Sequence, residues 1–305
     1  MMTAEGGPHG WLVVDKPAGL TSNRVVELIR RYAKTKVGHA GTLDPLATGV
    51  LPIAIGEATK TVSYAMAGQK RYRFRIRWGV SRATDDREGA ITGESEARPS
   101  REAIEAILPR FVGVIRQRPP SYSAVKIDGQ RAYKLARADA APALAARLVE
   151  IAELRLIAIP DRDHAECEAL VGKGTYIRAL ARDLGVALGT LAHIEGLRRL
   201  SVGRFTENQA IDLDSIAEWG HISANCAYLL PLEAALDDIP AQVLTGAQAA
   251  RLRSGQRVKP DDFSNFIDLG RFREGAVVGA WHDRALVALA RVEAGCLRPI
   301  RVINR

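Results

Sequence analysis

The sequence predicts an α+β fold: a mixed, largely antiparallel sheet flanked by helices, followed by a small β-rich C-terminal domain. Three observations carry this. Residues 70–78, KRYRFRIRW, alternate strictly between apolar and arginine side chains, the period of a strand with one packed face. Up to about residue 236 the order of strand and helix patterns is that of an α+β domain. Beyond ALDDIPA the pattern changes to short strands with turn glycines at 270, 275, 279 and 295. The division expected is 1–236 and 237–305.

The elements follow in order. WLVV, 11–14, reads as a buried strand and DKPAGLTS as a loop. Thr21 or Ser22 caps a helix to about Ala33 with Val25, Val26, Ile29 and Ala33 inward. VLPIA, 50–54, is a strand that Pro52 places at an edge or strand end. After 70–78, residues 80–99 are an acidic loop around Asp85, Asp86 and Glu88. Ser100 caps a helix over 100–111 with Ile104, Ile107 and Leu108 inward. An extended segment from the proline pair at 119–120 turns at Ile127-Asp128-Gly129-Gln130. Residues 132–146 are alanine-rich, helical or loosely ordered. Residues 148–159 and 166–174 are strands, and Thr175 caps a helix from Tyr176 to about Leu188 with Ile177, Leu180, Ala181 and Leu184 buried. In the C-terminal part a short helix, TGAQAARLRSG, precedes VVGAW, ALVAL and RPIRVI, strands apolar enough to close a small barrel.

Composition narrows the function. The 305 residues carry a formal charge of +8, which favours an anionic partner such as nucleic acid. No apolar run is long enough for a transmembrane helix, and MMTAEGGPHG lacks the design of a signal peptide, so a cytoplasmic protein is expected. Cys167, Cys226 and Cys296 are far apart and the histidines do not cluster, so neither disulfide nor metal site is expected.

The chemistry concentrates in GHAGTLDPLATG, 38–49. Asp44 precedes Pro45 and is biased to extended backbone. Gly38, Gly41 and Gly49 leave space for a large substrate. An ionised carboxylate there can act as base, nucleophile or cation stabiliser; equally, Asp44 can cap the next turn through its side chain. No phosphate loop, dinucleotide fingerprint, second carboxylate or nucleophile elbow is present. In KGTYIRALARDLG, 173–185, Arg178 and Arg182 share a helix face, either as surface charge or, for one placed beside Asp44, to hold that carboxylate charged and oriented. The row Arg71, Arg73, Arg75 and Arg77 is read equally as a solvated face or an RNA contact.

VDKPAGLTS, VGHAGTLDPLATGVLPIAIGEATK, QKRYRF, PPSYSAVKIDGQRAY, KGTYIRALARDLG and AHIEGLRRLSVGRF occur in the order found in bacterial tRNA pseudouridine-55 synthases, and the chain resembles that TruB family over nearly its whole length. The resemblance implies a pseudouridine-synthase core with a PUA-like RNA-binding C-terminal domain. It implies isomerisation of uridine to pseudouridine at position 55 in the tRNA T loop, with no metal or redox cofactor. The enzyme it implies is a monomer without an obligate protein partner or membrane. It places Asp44 on the essential catalytic aspartate, Arg178 on its basic partner, and Tyr72 on the tyrosine that stacks on the target base and is implicated in deprotonating C5. Tyr176 and Leu197 fall on uracil-pocket residues, His39 on an RNA contact, and Lys16 and Pro17 on the motif supporting the pocket floor. Val171-Gly172, where many relatives have Cys-Ser, the compressed ATDDREG segment and a missing glycine after ARAD depart from the family pattern without touching these positions. Two alternatives remain, a non-catalytic RNA-binding module and a guide-dependent synthase. Only an enzyme needs Asp44, Tyr72 and Arg178 together.

Overall fold

The computed structural model describes residues 7–123, 126–127, 130–131, 144–259 and 272–304. Its first strands, in chain order, are β1 (Gly10–Lys16), β2 (Val37–His39), β3 (Thr48–Ile55), β4 (Lys70–Trp78), β5 (Val80–Arg82), β6 (Ile91–Glu94), β7 (Gly113–Gln117), β8 (Lys126–Ile127), β9 (Gln130–Arg131), β10 (Arg147–Asp161), β11 (His164–Val171), β12 (Ala192–Val202) and β13 (Phe205–Thr206). Among the described residues nine of these form one sheet, ordered β1-β3-β12-β4-β11-β10-β7, with β2 on β3 and β13 on β12. The β3–β12 pair, at Arg198↔Thr48 and Arg199↔Gly49, is parallel, and the other pairs are antiparallel. This is the mixed, largely antiparallel sheet that the sequence predicts.

The alternation of 70–78 explains the sheet's centre. β4 lies between β11 and β12. Its Phe74, Ile76 and Trp78 are buried in the core that also takes Val25 and Ile29 of α1 (Ser22–Ala33) and Leu180 and Leu184 of the helix Ile177–Ala187. On the opposite face the arginines meet a row of carboxylates. Glu166 and Glu168 lie across β11 from Arg75 and Arg73. Arg71 pairs with Glu153 and Glu168, Arg73 with Glu168, and Arg75 with Glu166. For these three, neither a merely solvated face nor a free phosphate-contacting row describes the arrangement, because β11 alternates in step with β4.

Other expectations shift. Pro52 lies inside the sheet, paired across from Val13 of β1. Its carbonyl accepts from Ala40 N at 2.9 Å at the end of the β2 ladder, so the absent N–H faces a ladder that stops there. The acidic 80–99 segment contains the β5–β6 hairpin. Among the described residues two further helices, α2 (Val62–Ala67) and α3 (Arg101–Ile107), precede α4 (Ile177–Ala187). Ser100 caps α3 as expected, but α4 starts after Tyr176, and Thr175 Oγ1 instead donates to Glu150 O at 3.2 Å. β12 has no counterpart among the strands expected from pattern. The turn residues Asp128 and Gly129 and the alanine-rich stretch to residue 143 lie outside the described residues.

After α5 (Leu213–Glu218), α6 (Gly246–Arg253) is capped by Thr245 and Gln248 in a reciprocal box. It packs on a second sheet of β14 (Ala241–Val243), β15 (Val277–His282), β16 (Ala285–Glu293) and β17 (Cys296–Val302), in that order. Among the described residues this sheet is open, with β14 and β17 at its edges, rather than a closed barrel. Leu286, Leu289 and Ile303 share a core with Trp11, Val50 and Phe205, which joins the two sheets. Lys60 Nζ donates to Val302 O at 2.7 Å, and Asn304 N to Glu57 Oε2 at 2.7 Å. Among the described residues no helix is long and apolar enough to cross a membrane.

Candidate active site

The Asp44 loop joins β2 to β3 and is tied down along its length. Buried Ser22, at the start of α1, donates to Leu43 O at 3.1 Å and accepts from Leu43 N at 2.8 Å. Lys16, buried at the end of β1, donates to Pro17 O at 2.7 Å, Leu20 O at 2.8 Å and Pro45 O at 3.2 Å. Gly19 N also donates to Pro45 O, at 2.8 Å. Burial pushes the Lys16 ammonium down to about 8, with Asp44 pulling it up and Arg199 adding to the fall.

The glycines of the loop do not mainly provide room. Gly41 and Gly49 have φ of 101° and 98°, a region that side chains disfavour. A Cβ on Gly49 would lie 2.2 Å from Arg199 O, so this glycine lets β3 and β12 meet. Gly38 alone of the three has open space around its Cβ position.

Asp44 is met by Arg178 from the first turn of α4. Arg178 Nε donates to Oδ2 at 2.9 Å and Nη2 to Oδ1 at 3.2 Å. The Asp44 side chain is 34% exposed and that of Arg178 is 5% exposed, so the carboxylate is reachable while its partner is not. The capping alternative fails: Ala47 N donates to the main-chain Asp44 O at 3.1 Å, and the carboxylate is turned to Arg178. Arg178 also donates to Thr84 O at 2.7 Å and Tyr122 O at 2.9 Å, and lies 3.3 Å from Asp86 Oδ2. It is therefore a buried hub, not surface charge. Arg182, one turn on, pairs with Asp85 at 2.8 Å.

The acidic segment, expected as a loop, also brings Asp86 to the site. Its carboxylate accepts from Thr84 Oγ1 at 2.5 Å and Glu88 N at 3.1 Å, and its placement depends on a hook in which Arg87 N donates to Ile194 O on β12. Only the TDD run hinted at it.

The remaining candidates lie around this pair. Tyr176 precedes α4, its peptide held on both sides by buried Gln117: Tyr176 N donates to Oε1 at 2.9 Å, and Nε2 donates to Tyr176 O at 3.1 Å. The Arg147 guanidinium sits 5.2 Å from the centre of its ring. Tyr72, half-buried, lies across from Arg199 of β12. Leu197, across from Phe74, lines a cavity of about 310 Å³ with Leu46, Thr48 and Arg87. His39 sits on β2, where burial, reinforced by Arg199, pushes its imidazole down; among the described residues its buried Nδ1 has no hydrogen-bond partner. Asp44 and Arg178 are thus in direct contact, whereas no hydrogen bond joins Tyr72, Tyr176, Leu197 or His39 to the carboxylate.

Residues 30–177 match the TruB family pseudouridylate synthase (N terminal domain), and 178–237 the tRNA pseudouridylate synthase B C-terminal domain. The chain is 50% identical over 297 residues to tRNA pseudouridine synthase B of Rhodospirillum rubrum, covering 97% of this chain and 96% of that one. It is 53% identical over 308 residues to the protein of the same name from Bradyrhizobium diazoefficiens, covering 97% and 86%. The chain belongs to the TruB family of pseudouridylate synthases. Its fold is shared with a chain in the crystal structure of a Cbf5-Nop10-Gar1 complex, with a TM-score of 0.73 at 24% identity over 99% of this chain and 91% of that one. The TruB segments meet between Ile177 and Arg178, so the Asp44–Arg178 pair joins the two.

Proposed function

We propose that this TruB chain isomerises uridine to pseudouridine at position 55 in the T loop of tRNA, with Asp44 as the essential catalytic residue. The observation that carries the reading is a reachable carboxylate fixed by a buried arginine from a distant motif. The tRNA substrate is supported by the names of the relatives. The reaction breaks the N1–C1′ bond, turns the uracil and joins C5 to C1′; C5 gives up its proton and the freed N1 takes one up. Asp44 acts on this step as nucleophile at C1′ or as base. Arg178 holds its two oxygens in place. Tyr72 stacks on the extruded base, Tyr176 and Leu197 wall the uracil, and His39, kept neutral by burial, contacts the RNA. Extrusion costs a few kcal/mol, and stacking on one aromatic ring returns about 1–3 kcal/mol. The β-rich segment, 237–305, serves as the PUA-like RNA-binding domain. No cofactor enters the scheme, and the enzyme acts as a cytoplasmic monomer.

The test uses tRNA carrying tritium at uracil C5. Release of tritium without added cofactor, with pseudouridine at position 55, is expected. Tight binding without release would make the chain an RNA-binding module, and product at another uridine would reassign the target.

A further inference from the structure

We infer that Arg199 is a positioning residue that staples the two ends of the Asp44 loop together and sets that loop's place against Tyr72. This rests on the catalytic role proposed for Asp44.

Arg198 and Arg199 are neighbours on β12, so their side chains leave opposite faces of the sheet. Arg198 finds carboxylates, Asp15 at 2.8 Å and Glu207 at 2.5 Å. Arg199 turns inward, is 1% exposed, and among the described residues pairs with no carboxylate. Burying a cation without a counter-ion is costly unless its donors are well satisfied. Here the donors go to main-chain carbonyls on both sides of Asp44, in its loop and in β3 just after it. Nη2 reaches Gly41 O at 2.9 Å and Nη1 Thr42 O at 3.4 Å, both before Asp44, while Nε reaches Val50 O at 2.8 Å, after it. The rigid guanidinium fork reaches acceptors on two chain segments from three separate nitrogens, whereas a lysine ammonium has to gather all its acceptors around one point.

The main chain of the same residue makes a second contact. Arg199 pairs with Gly49 in the parallel β3–β12 register, and Gly49 has the positive φ that brings it against Arg199 O. Across β12, Arg199 is the partner of Tyr72. One residue therefore ties the loop that carries the carboxylate to the strand that carries the stacking ring. It reaches neither oxygen of Asp44, so its effect on chemistry runs through placement. Misplacement of reacting groups by about 1 Å can cost roughly 100-fold in rate.

The experiment measures single-turnover tritium release and tRNA affinity for full-length wild type, Arg199→Lys and Asp44→Asn. Arg199→Lys is expected to lose roughly 100-fold in rate with tRNA affinity changed less than about threefold. A wild-type rate in Arg199→Lys, with Asp44→Asn inactive, overturns the inference and leaves the role of Asp44 standing. Activity in Asp44→Asn overturns that role and the inference with it. Affinity lost in step with rate makes Arg199 an RNA contact or a fold residue, and also overturns it. Should Arg199→Lys not fold, amide exchange in the wild type decides. Leu43 and Ala47 amides, inside the staple, are expected to exchange as slowly as those of β4. Fast exchange there would show a loop that Arg199 does not hold.

Discussion

Gly49→Ala separates a glycine that makes room for substrate from one that lets two strands touch. An alanine at φ 98° is disfavoured by about 1–2 kcal/mol. Its Cβ would stand 2.2 Å from a main-chain oxygen, and forcing apart packed backbone adds about 1–3 kcal/mol. The sum, about 2–5 kcal/mol, lowers the melting temperature by roughly 5–15 °C for a domain of this size. Gly19→Ala is the control. Its φ of 86° carries the same backbone strain, but none of the described residues comes within 4 Å of its Cβ, so the loss stays near 1–2 kcal/mol. Gly38→Ala, with open space and no positive φ, leaves stability within about 0.5 kcal/mol. Thermal melts of the three variants provide the assay. Equal melting temperatures for Gly49→Ala and Gly38→Ala would refute the reasoning.

Three further outcomes are expected. Lys16 has a folded pKa of about 8 against an ordinary 10.5, so between those values the unfolded chain holds the extra proton; the stability of wild type relative to Lys16→Met therefore rises with pH across that window, and a pH-independent difference in urea midpoints would contradict this. Burial raises the Glu57 carboxyl, but the Asn304 N–H and Lys60 outweigh it and hold it low, so Glu57→Gln costs about 1–2 kcal/mol at neutral pH, a gap that closes as pH falls and Glu57 protonates; urea midpoints at pH 7 and in acid check this. Arg73 is engaged by Glu168, so Arg73→Gln leaves the slope of log affinity for tRNA against log salt unchanged, whereas a drop of about 0.9 would mark a phosphate contact.

What the sequence made legible follows from where its signals are local. The strict alternation of 70–78 is a one-strand property, and β4 has the bounds it implies. The cap at Ser100 and the buried stripe of α4 are local too. β12 is not legible in that way, because its ladder shifts register at Ile194/Gly196 and Arg198-Arg199 interrupts the apolar period. The fate of each arginine depends on which face it leaves, and that is set by strands distant in sequence. Pro52 and Gly49 differ from expectation for a related reason: a proline or glycine reports what its own backbone tolerates, not which ladder ends beside it. At the site, the local reading of Asp44 could not choose between cap and catalyst. Arg178 was placed beside it by family motifs, and the structure supplies the contact. Asp86 needed the fold, since its burial arises from the hook of 85–87 onto β12.

The most direct test of the central claim compares wild type with Asp44→Asn on a T-arm stem-loop and on full tRNA. The amide keeps the size of the carboxylate, and Asp86 remains beside Arg178 to keep its charge compensated. The account predicts a folded variant that binds tRNA close to wild type yet forms no pseudouridine in single-turnover assays. Appreciable pseudouridine from Asp44→Asn would contradict it.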